Sequence, residues 1–158
     1  MSRIILLTQG QEAIVDDWRY DELNAFKWCA QWNSDTKAFY AERKTSRTSG
    51  FKTIRMHAIV ARTPKGLCTD HINRNTLDNR EENLRVCTRS ENNMNRGKRT
   101  DNTSGFKGVF KSGNKWTSKI QAGQTVYCLG SFATREEAAR AYDIAAKKIH
   151  GEYAMLNF

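Results

Sequence analysis

Asp70-His71-Ile72-Asn73-Arg74-Asn75-Thr76-Leu77-Asp78-Asn79-Arg80-Glu81-Glu82-Asn83-Leu84-Arg85-Val86-Cys87-Thr88-Arg89-Ser90-Glu91-Asn92 is the stretch on which the reading of this chain turns. It opens with a carboxylate beside an imidazole and closes on a carboxamide. Between them lie a polar, Asn-rich turn and a short apolar run, Leu84 to Cys87. The order predicts strand, loop, strand, helix, folded so that both ends face one point. Thr88-Arg89-Ser90-Glu91 supplies the helix start, a capping box with a hydroxyl at the cap and a carboxylate three residues on. Asn92 then falls in the first helical turn, looking back toward the preceding strand.

Asp70 and Asn92 both offer oxygen, which suits a hard divalent cation such as Mg²⁺, with Mn²⁺ as the substitute. His71 is the side chain best suited to take a proton from water near neutral pH. A cation and a general base beside a phosphodiester make a hydrolytic site. An Asp-His dipeptide alone is common, and Asn-rich loops are ordinarily turn chemistry, so Asn73, Asn75 and Asn79 are read as turn residues. The specific signal is the register as a whole.

That register resembles the HNH homing endonuclease family, whose ββα-metal motif runs Asp-His-Ile, an Asn-rich loop, Asn-Leu-Arg and then a helix. Asp70-His71, Asn83-Leu84-Arg85 and Ser90-Glu91-Asn92 stand at the family's spacing. The resemblance implies Asp70 as the metal-binding acid and His71 as the general base. It implies Asn92 as the second metal ligand, where some members have His, and Asn83 as the residue that ties the loop by hydrogen bonds and holds the base. His57-Ala58-Ile59-Val60 sits where the family has His-Arg-Leu-Val, with Ala58 in place of the Arg. His57 is therefore a second candidate near the site, although a packed helix histidine is the preferred reading.

The 158 residues allow one ordinary domain or two small ones. A net charge of +9 favours a polyanionic partner. No apolar run approaches membrane-spanning length, and the N-terminal Met1-Ser2-Arg3-Ile4-Ile5-Leu6-Leu7-Thr8 is too short for a signal peptide and has no cleavage site. The expectation is a soluble cytoplasmic protein that does not engage membranes; the family resemblance places it in a bacterial or phage-infected cell. Cys29, Cys68, Cys87 and Cys128 form no Cys-x-x-Cys, so they read as thiols in a reducing compartment and no structural zinc is expected.

The fold class expected is α+β. Residues 1–50 read as a β-rich unit: short strands at Ile4–Thr8 and Ala13–Asp16 about a Gln9-Gly10-Gln11 turn, then a short helix within Asp17–Phe26 with Trp18, Leu23 and Phe26 on one side. Lys27–Trp32 and Ala38–Arg43 follow as a hairpin, with Trp28, Trp32, Phe39 and Tyr40 as core and sheet-face residues. This unit either buttresses the motif or lays Lys37, Arg43, Lys44 and Arg47 along a DNA backbone. Residues 51–96 hold the ββα-metal motif and a preceding helix, Ile54 to Arg62, stopped at Pro64. Arg85, Arg89, Arg96, Lys98 and Arg99 are opposed in their span only by Glu91 and read as phosphate contacts. The polar stretch 97–104 is the expected linker between a nuclease domain, 1–96, and a second domain, 105–158.

In that second domain Phe106–Lys111, Lys115–Ala122 and Thr125–Phe132 read as three antiparallel strands. Thr134-Arg135-Glu136-Glu137 caps a helix running to about Ile149, with Ala138, Ala141, Tyr142, Ala145 and Ile149 on its packed face and Gly151 as the stop. Gly105-Phe106-Lys107-Gly108-Val109, Lys115-Trp116, Leu129-Gly130-Ser131-Phe132, Glu136-Glu137-Ala138-Ala139-Arg140-Ala141-Tyr142-Asp143 and Leu156-Asn157-Phe158 make it similar to the APETALA-two/ethylene-response-factor DNA-binding domain. The resemblance implies a sheet entering the major groove with the helix packed behind it. Strand periodicity gives Trp116, Ser118 and Ile120 to the helix side and Lys115, Thr117, Lys119 and Gln121 to the DNA side, with Lys107 and Lys111 added from the first strand. Phe110, Val126 and Cys128 stand where plant members often carry Arg or Trp, which sets this sheet apart from the plant target sequence.

The function expected is metal-dependent hydrolysis of double-stranded DNA, nicking one strand per monomer, with monomer and dimer both open as the state on DNA. The rival is a DNA-binding regulator that does not cleave.

Overall fold

The computed structural model describes residues 1–45, 50–99 and 101–158. Arg47, the one backbone-contact candidate among 46–49, lies outside them, as does Thr100 in the expected linker. The architecture is α+β, several small antiparallel sheets with short helices and one long one. The chain divides into two compact units, Met1–Arg89 and Ser90–Phe158. The division falls ahead of the polar stretch 97–104, because Met94 is tied to the later residues: the Lys107 ammonium donates to its carbonyl.

In the first unit β1 (Ser2–Leu6) and β2 (Glu12–Asp16) form an antiparallel ribbon. A short 3-10 turn leads into α1 (Tyr20–Asn24). Only Leu23 of the expected apolar trio is in the core; Trp18 and Phe26 are exposed. Those two rings carry guanidinium groups instead, Arg19 on Trp18 at 4.6 Å and Arg43 on Phe26 at 3.9 Å. β3 (Cys29–Asn33) and β4 (Ala38–Lys44) are the expected hairpin. Its turn closes because the Asn33 side chain accepts from the amides of Asp35 and Thr36, at 2.9 and 3.0 Å. β5 (Thr53–Arg55) extends this sheet beside β4, and only Met56–Val60 is helical (α2). Ile54 is thus a strand residue, since it pairs with Arg43 on β4 rather than joining a helical turn. Ile5, Ala13, Val15, Leu23, Trp28, Ala41, Met56 and Val60 form the core, each large side chain contributing about 1.5–3 kcal/mol.

β6 (Cys68–His71) and β7 (Leu84–Cys87) pair antiparallel in the register Cys68↔Cys87, Thr69↔Val86, Asp70↔Arg85, His71↔Leu84. Leu77 from their connecting loop and Leu84 pack on the core just described. The loop is also bonded to β2 through its backbone: Ile14 donates to Leu77 at 2.8 Å and accepts from Asn79 at 2.7 Å. The β-rich unit therefore buttresses the strand-loop-strand. α3 (Arg89–Met94) follows.

The second unit holds β8 (Val109–Ser112), β9 (Lys115–Ala122) and β10 (Thr125–Phe132), ordered β10-β9-β8, and the 16-residue α4 (Arg135–His150) packed on them. The capping box is formed: Thr134 Oγ1 accepts from the Glu137 amide, and the Glu137 carboxylate accepts from the Thr134 amide. Phe106 is not in a strand, because Gly108 turns the chain at φ +75° ahead of β8. A Cβ on Gly108 would lie 2.1 Å from the Tyr142 ring and 2.7 Å from the Lys119 carbonyl. Glycine is required there by both conformation and space.

The helix buries Ala138, Ala139, Tyr142, Asp143, Ala146 and His150, so Ile149 points outward and the packed face is turned relative to the expected one. Two polar residues with partners cause that turn. His150 Nε2 donates to the Gln121 carbonyl at 2.9 Å. The Asp143 carboxylate accepts from the amides of Asn157 and Phe158, at 2.8 and 3.0 Å.

Candidate active site

Asp70 and His71 end β6, and both are 5% exposed. The cross-strand register sets Arg85 opposite Asp70, and Arg85 Nε and one terminal nitrogen both donate to Asp70 Oδ2, at 2.9 and 2.7 Å. Arg85 is half-buried in this pair, so its guanidinium serves the acid rather than standing out toward a phosphate. His71 lies opposite Leu84, and the next residue of each strand continues the tie: the Ile72 amide donates to the Asn83 carbonyl at 2.9 Å.

Asn83 is buried and works through its side chain in both directions. Its Oδ1 accepts from the Asn73 amide at 2.9 Å, and its Nδ2 donates to the Asp78 carbonyl at 2.8 Å. Asp78, also buried, accepts from Asn73 Nδ2 at 2.8 Å and from two nitrogens of Arg80, each at 2.8 Å. The Arg80 guanidinium holds the Asp78 carboxyl below the usual carboxylate range. This web fixes the loop behind His71. Asn75 behaves as a turn residue, accepting from the Leu77 amide. Asn79 does more, since it is buried and its side chain lies beside His71.

The rings around His71 come from far away in sequence. His57 on α2 meets it edge to face at 5.0 Å, and Tyr40 on β4 stands 6.3 Å from His71 and 5.8 Å from His57. Burial, with the positive charges of His71 and Arg55, pushes His57 down to about 3. Burial also lowers His71, opposed by the Asn79 side chain and the carboxylates of Asp70 and Asp78. Both imidazoles are therefore neutral near pH 7. His57 is the packed helix histidine expected and also a neighbour of the base. Sequence reasoning alone does not mark Tyr40, Asn79, Asp78 and Arg80 as site residues; the Asp78-Asn79-Arg80 run ahead of Asn83 is the signal that could have found three of them.

Asn92 sits half-buried on α3, among the residues of the second unit. Residues 61–94 match the family model described as HNH endonuclease. The similarity to HNH endonucleases lies in this segment. Of the curated relatives, the uncharacterized HNH endonuclease L560 of Acanthamoeba polyphaga mimivirus is 31% identical over 63% of this chain and 51% of its own length. The C-terminal region matches the ethylene-responsive transcription factor ERF084 of Arabidopsis thaliana, 46% identical over 35% of this chain and 23% of that protein. It also matches the AP2-like ethylene-responsive transcription factor AIL7 of the same plant, 52% identical over 28% of this chain and 9% of that protein. The chain thus spans about half of the mimivirus relative and under a quarter of these plant factors. No solved structure matches it.

HNH nucleases generally use a divalent cation, and Asp70 is the residue of this segment to test against one. Asp70 is a buried carboxylate at a strand end, and because Arg85 already holds its Oδ2, a cation there would share the acid with that guanidinium. Among the described residues no three His, Cys, Asp or Glu side chains gather as a closed metal cage. A lone carboxylate supplemented by neutral oxygens is instead the sparse donor set Mg²⁺ takes while keeping waters and substrate phosphate.

Of the basic residues flanking the motif, Arg89, Arg96, Lys98 and Arg99 are exposed. Lys98 donates to the Gly105 carbonyl at 3.1 Å, and Arg99 pairs with Asp101 at 2.9 Å. On the sheet, Trp116, Ser118 and Ile120 face α4 as expected, while Lys115, Lys119 and Gln121 are exposed on the other side. Thr117 shares that side but is covered, within 3.3 Å of the Ser131 hydroxyl. Lys111 pairs with Trp116 in register and so belongs to the α4 side of the sheet, and Lys107 is half-buried with its ammonium on Met94. The outer residues of β8 are Phe110 and Ser112, because the strand starts at Val109 rather than Phe106.

Proposed function

We propose that the chain is a metal-dependent DNA endonuclease of the homing type, hydrolysing phosphodiester bonds in double-stranded DNA while its second unit holds the target. The observation that carries this is the buried Asp70-His71 pair at the end of β6, its acid on Arg85 and its strand tied through Asn83, inside a segment matching HNH endonucleases. Asp70 and Asn92 would hold the cation, Mg²⁺ or Mn²⁺, which when bound stabilises negative charge on the leaving oxygen. His71, neutral at pH 7, takes the proton of the attacking water. The P–O3′ bond breaks, leaving a 3′-hydroxyl and a 5′-phosphate. Asn83 keeps the base from turning, and His57 and Tyr40 pack against its ring. Arg89, Arg96, Lys98 and Arg99 contact backbone phosphates. One chain carries one such motif, so a monomer nicks, and a double-strand break takes two copies or two events. The reaction would take place in the cytoplasm of the host cell.

The test is a supercoiled plasmid incubated with the protein, with Mg²⁺ or with EDTA. Wild type relaxes it only with metal, and His71→Ala lowers the rate by at least ~10²-fold while binding DNA as before. Equal inertness of wild type and His71→Ala over several metals and target DNAs would leave the non-cleaving regulator as the reading.

A further inference from the structure

The outer face of the second unit's sheet is built from two kinds of side chain. Lys115, Lys119 and Gln121 come from β9, and Phe110, Val126 and Cys128 from its neighbours. All six are exposed, Phe110 at 52% and Val126 at 59%. The register places them side by side: Cys128 opposite Lys119, Val126 opposite Gln121, and Phe110 opposite Thr117. Of the four lysines in residues 104–133, Lys115 and Lys119 lie on this face, and the stretch has no Asp or Glu. The face is therefore positive and apolar at once. A solvated surface has no use for exposed Phe and Val on both strands flanking its lysines, and an apolar protein partner would leave the lysines unanswered.

One polyanion presents apolar points among hydrogen-bonding edges. In the major groove of DNA the thymine C5-methyl is the apolar group, and adenine N6/N7 is the edge a carboxamide pairs with twice. Phe110 and Val126 have no donor or acceptor, and a cysteine thiol is a weak one. These three positions can read bases only by apolar contact. Val126 and Gln121, being cross-strand partners, have Cβ atoms about 5 Å apart, which suits the two halves of one A·T pair.

We infer that this sheet face selects A·T-containing duplex, with Phe110, Val126 and Cys128 on thymine methyls, Gln121 on adenine, and Lys115 and Lys119 on the flanking phosphates. The inference rests on the proposal that the protein binds duplex DNA and adds the base composition it selects.

The experiment uses the full chain in EDTA, so that DNA is bound without being cut. Fluorescence polarisation compares a random-sequence duplex pool with the same pool carrying deoxyuridine for thymidine, which removes the methyl and keeps every hydrogen-bonding group. Wild type is expected to bind the thymine pool roughly tenfold tighter, as a few buried methyl contacts provide. The triple variant Phe110→Ser, Val126→Ser, Cys128→Ser is expected to bind both pools alike, at the affinity wild type shows for the uracil pool. These residues are exposed, so its melting curve is expected to match wild type. Equal binding of the two pools by wild type overturns the inference and leaves DNA binding intact. Discrimination that persists in the triple variant also overturns it, since the methyl reader then lies elsewhere. Failure of wild type to bind either pool overturns the DNA proposal itself.

Discussion

The imidazoles of His57 and His71 meet edge to face, 5.0 Å between centroids and 84° between planes. One lies on a helix and the other ends a strand, and both are buried. Their burial, more than their contact, links the stability of the first unit to pH. Unfolded His57 takes a proton below about 6.5, whereas folded His57 takes one only near 3. Its contribution is thus complete above pH 6.5 and is lost as pH falls through that window, by up to ~1.4 kcal/mol per pH unit. Urea unfolding followed at pH 7 and pH 5 should show the loss, and His57→Gln should remove its share, leaving the part due to His71. Asp78, also shifted downward, loses its contribution only below the carboxylate range and does not intrude above pH 5. An equal midpoint at both pH values in wild type refutes the linkage.

Arg85→Met leaves the Asp70 carboxylate buried without the guanidinium that faces it. We expect a loss of ~3 kcal/mol or more, read as a lowered melting temperature. Asp70→Asn combined with Arg85→Met should lose less than the sum of the two single variants. Strict additivity would mean that the pair is not coupled.

Asn83→Ala removes an acceptor for the Asn73 amide and a donor for the Asp78 carbonyl, both in a buried loop. Each unsatisfied group costs about 1–3 kcal/mol. Plasmid nicking should fall at least ~10-fold while the dissociation constant for DNA is unchanged. A parallel loss of binding would place Asn83 at the DNA interface rather than behind the base.

Gly108→Ala drives a methyl into Tyr142 and the Lys119 carbonyl. Calorimetry should show the second unit destabilised by roughly 3 kcal/mol. Gly113→Ala, also at positive φ but with open space around it, is the control and should lose only ~1 kcal/mol. Equal losses would mean that backbone conformation alone explains Gly108.

The local signals are legible where neighbours in sequence are also neighbours in space. The β3–β4 turn and the capping box of α4 follow from residues within a few positions of one another. What the sequence hides depends on distant partners. Tyr40 and His57 reach His71 only once β4 and α2 share a core. The face of α4 is turned because Asp143 and His150, polar and unremarkable by pattern, are satisfied by Asn157 and by a β9 carbonyl. Lys111 lies on the α4 side because a positive φ at Gly108 delays the start of β8 and resets its alternation. Cys68 and Cys87, remote in the chain, stand opposite each other across β6 and β7.

The backbone bonds from Ile14 to Leu77 and Asn79, and the Thr76 hydroxyl on the Phe39 carbonyl, set how this candidate site can travel between genes. A graft of residues 61–94 alone would carry the recognisable letters and lose the strand edge against which their loop is cast. Recombination that preserves the folded site should therefore break ahead of Ser2–Leu6 or beyond Met94, so that the inherited parcel is far longer than the segment by which it is recognised.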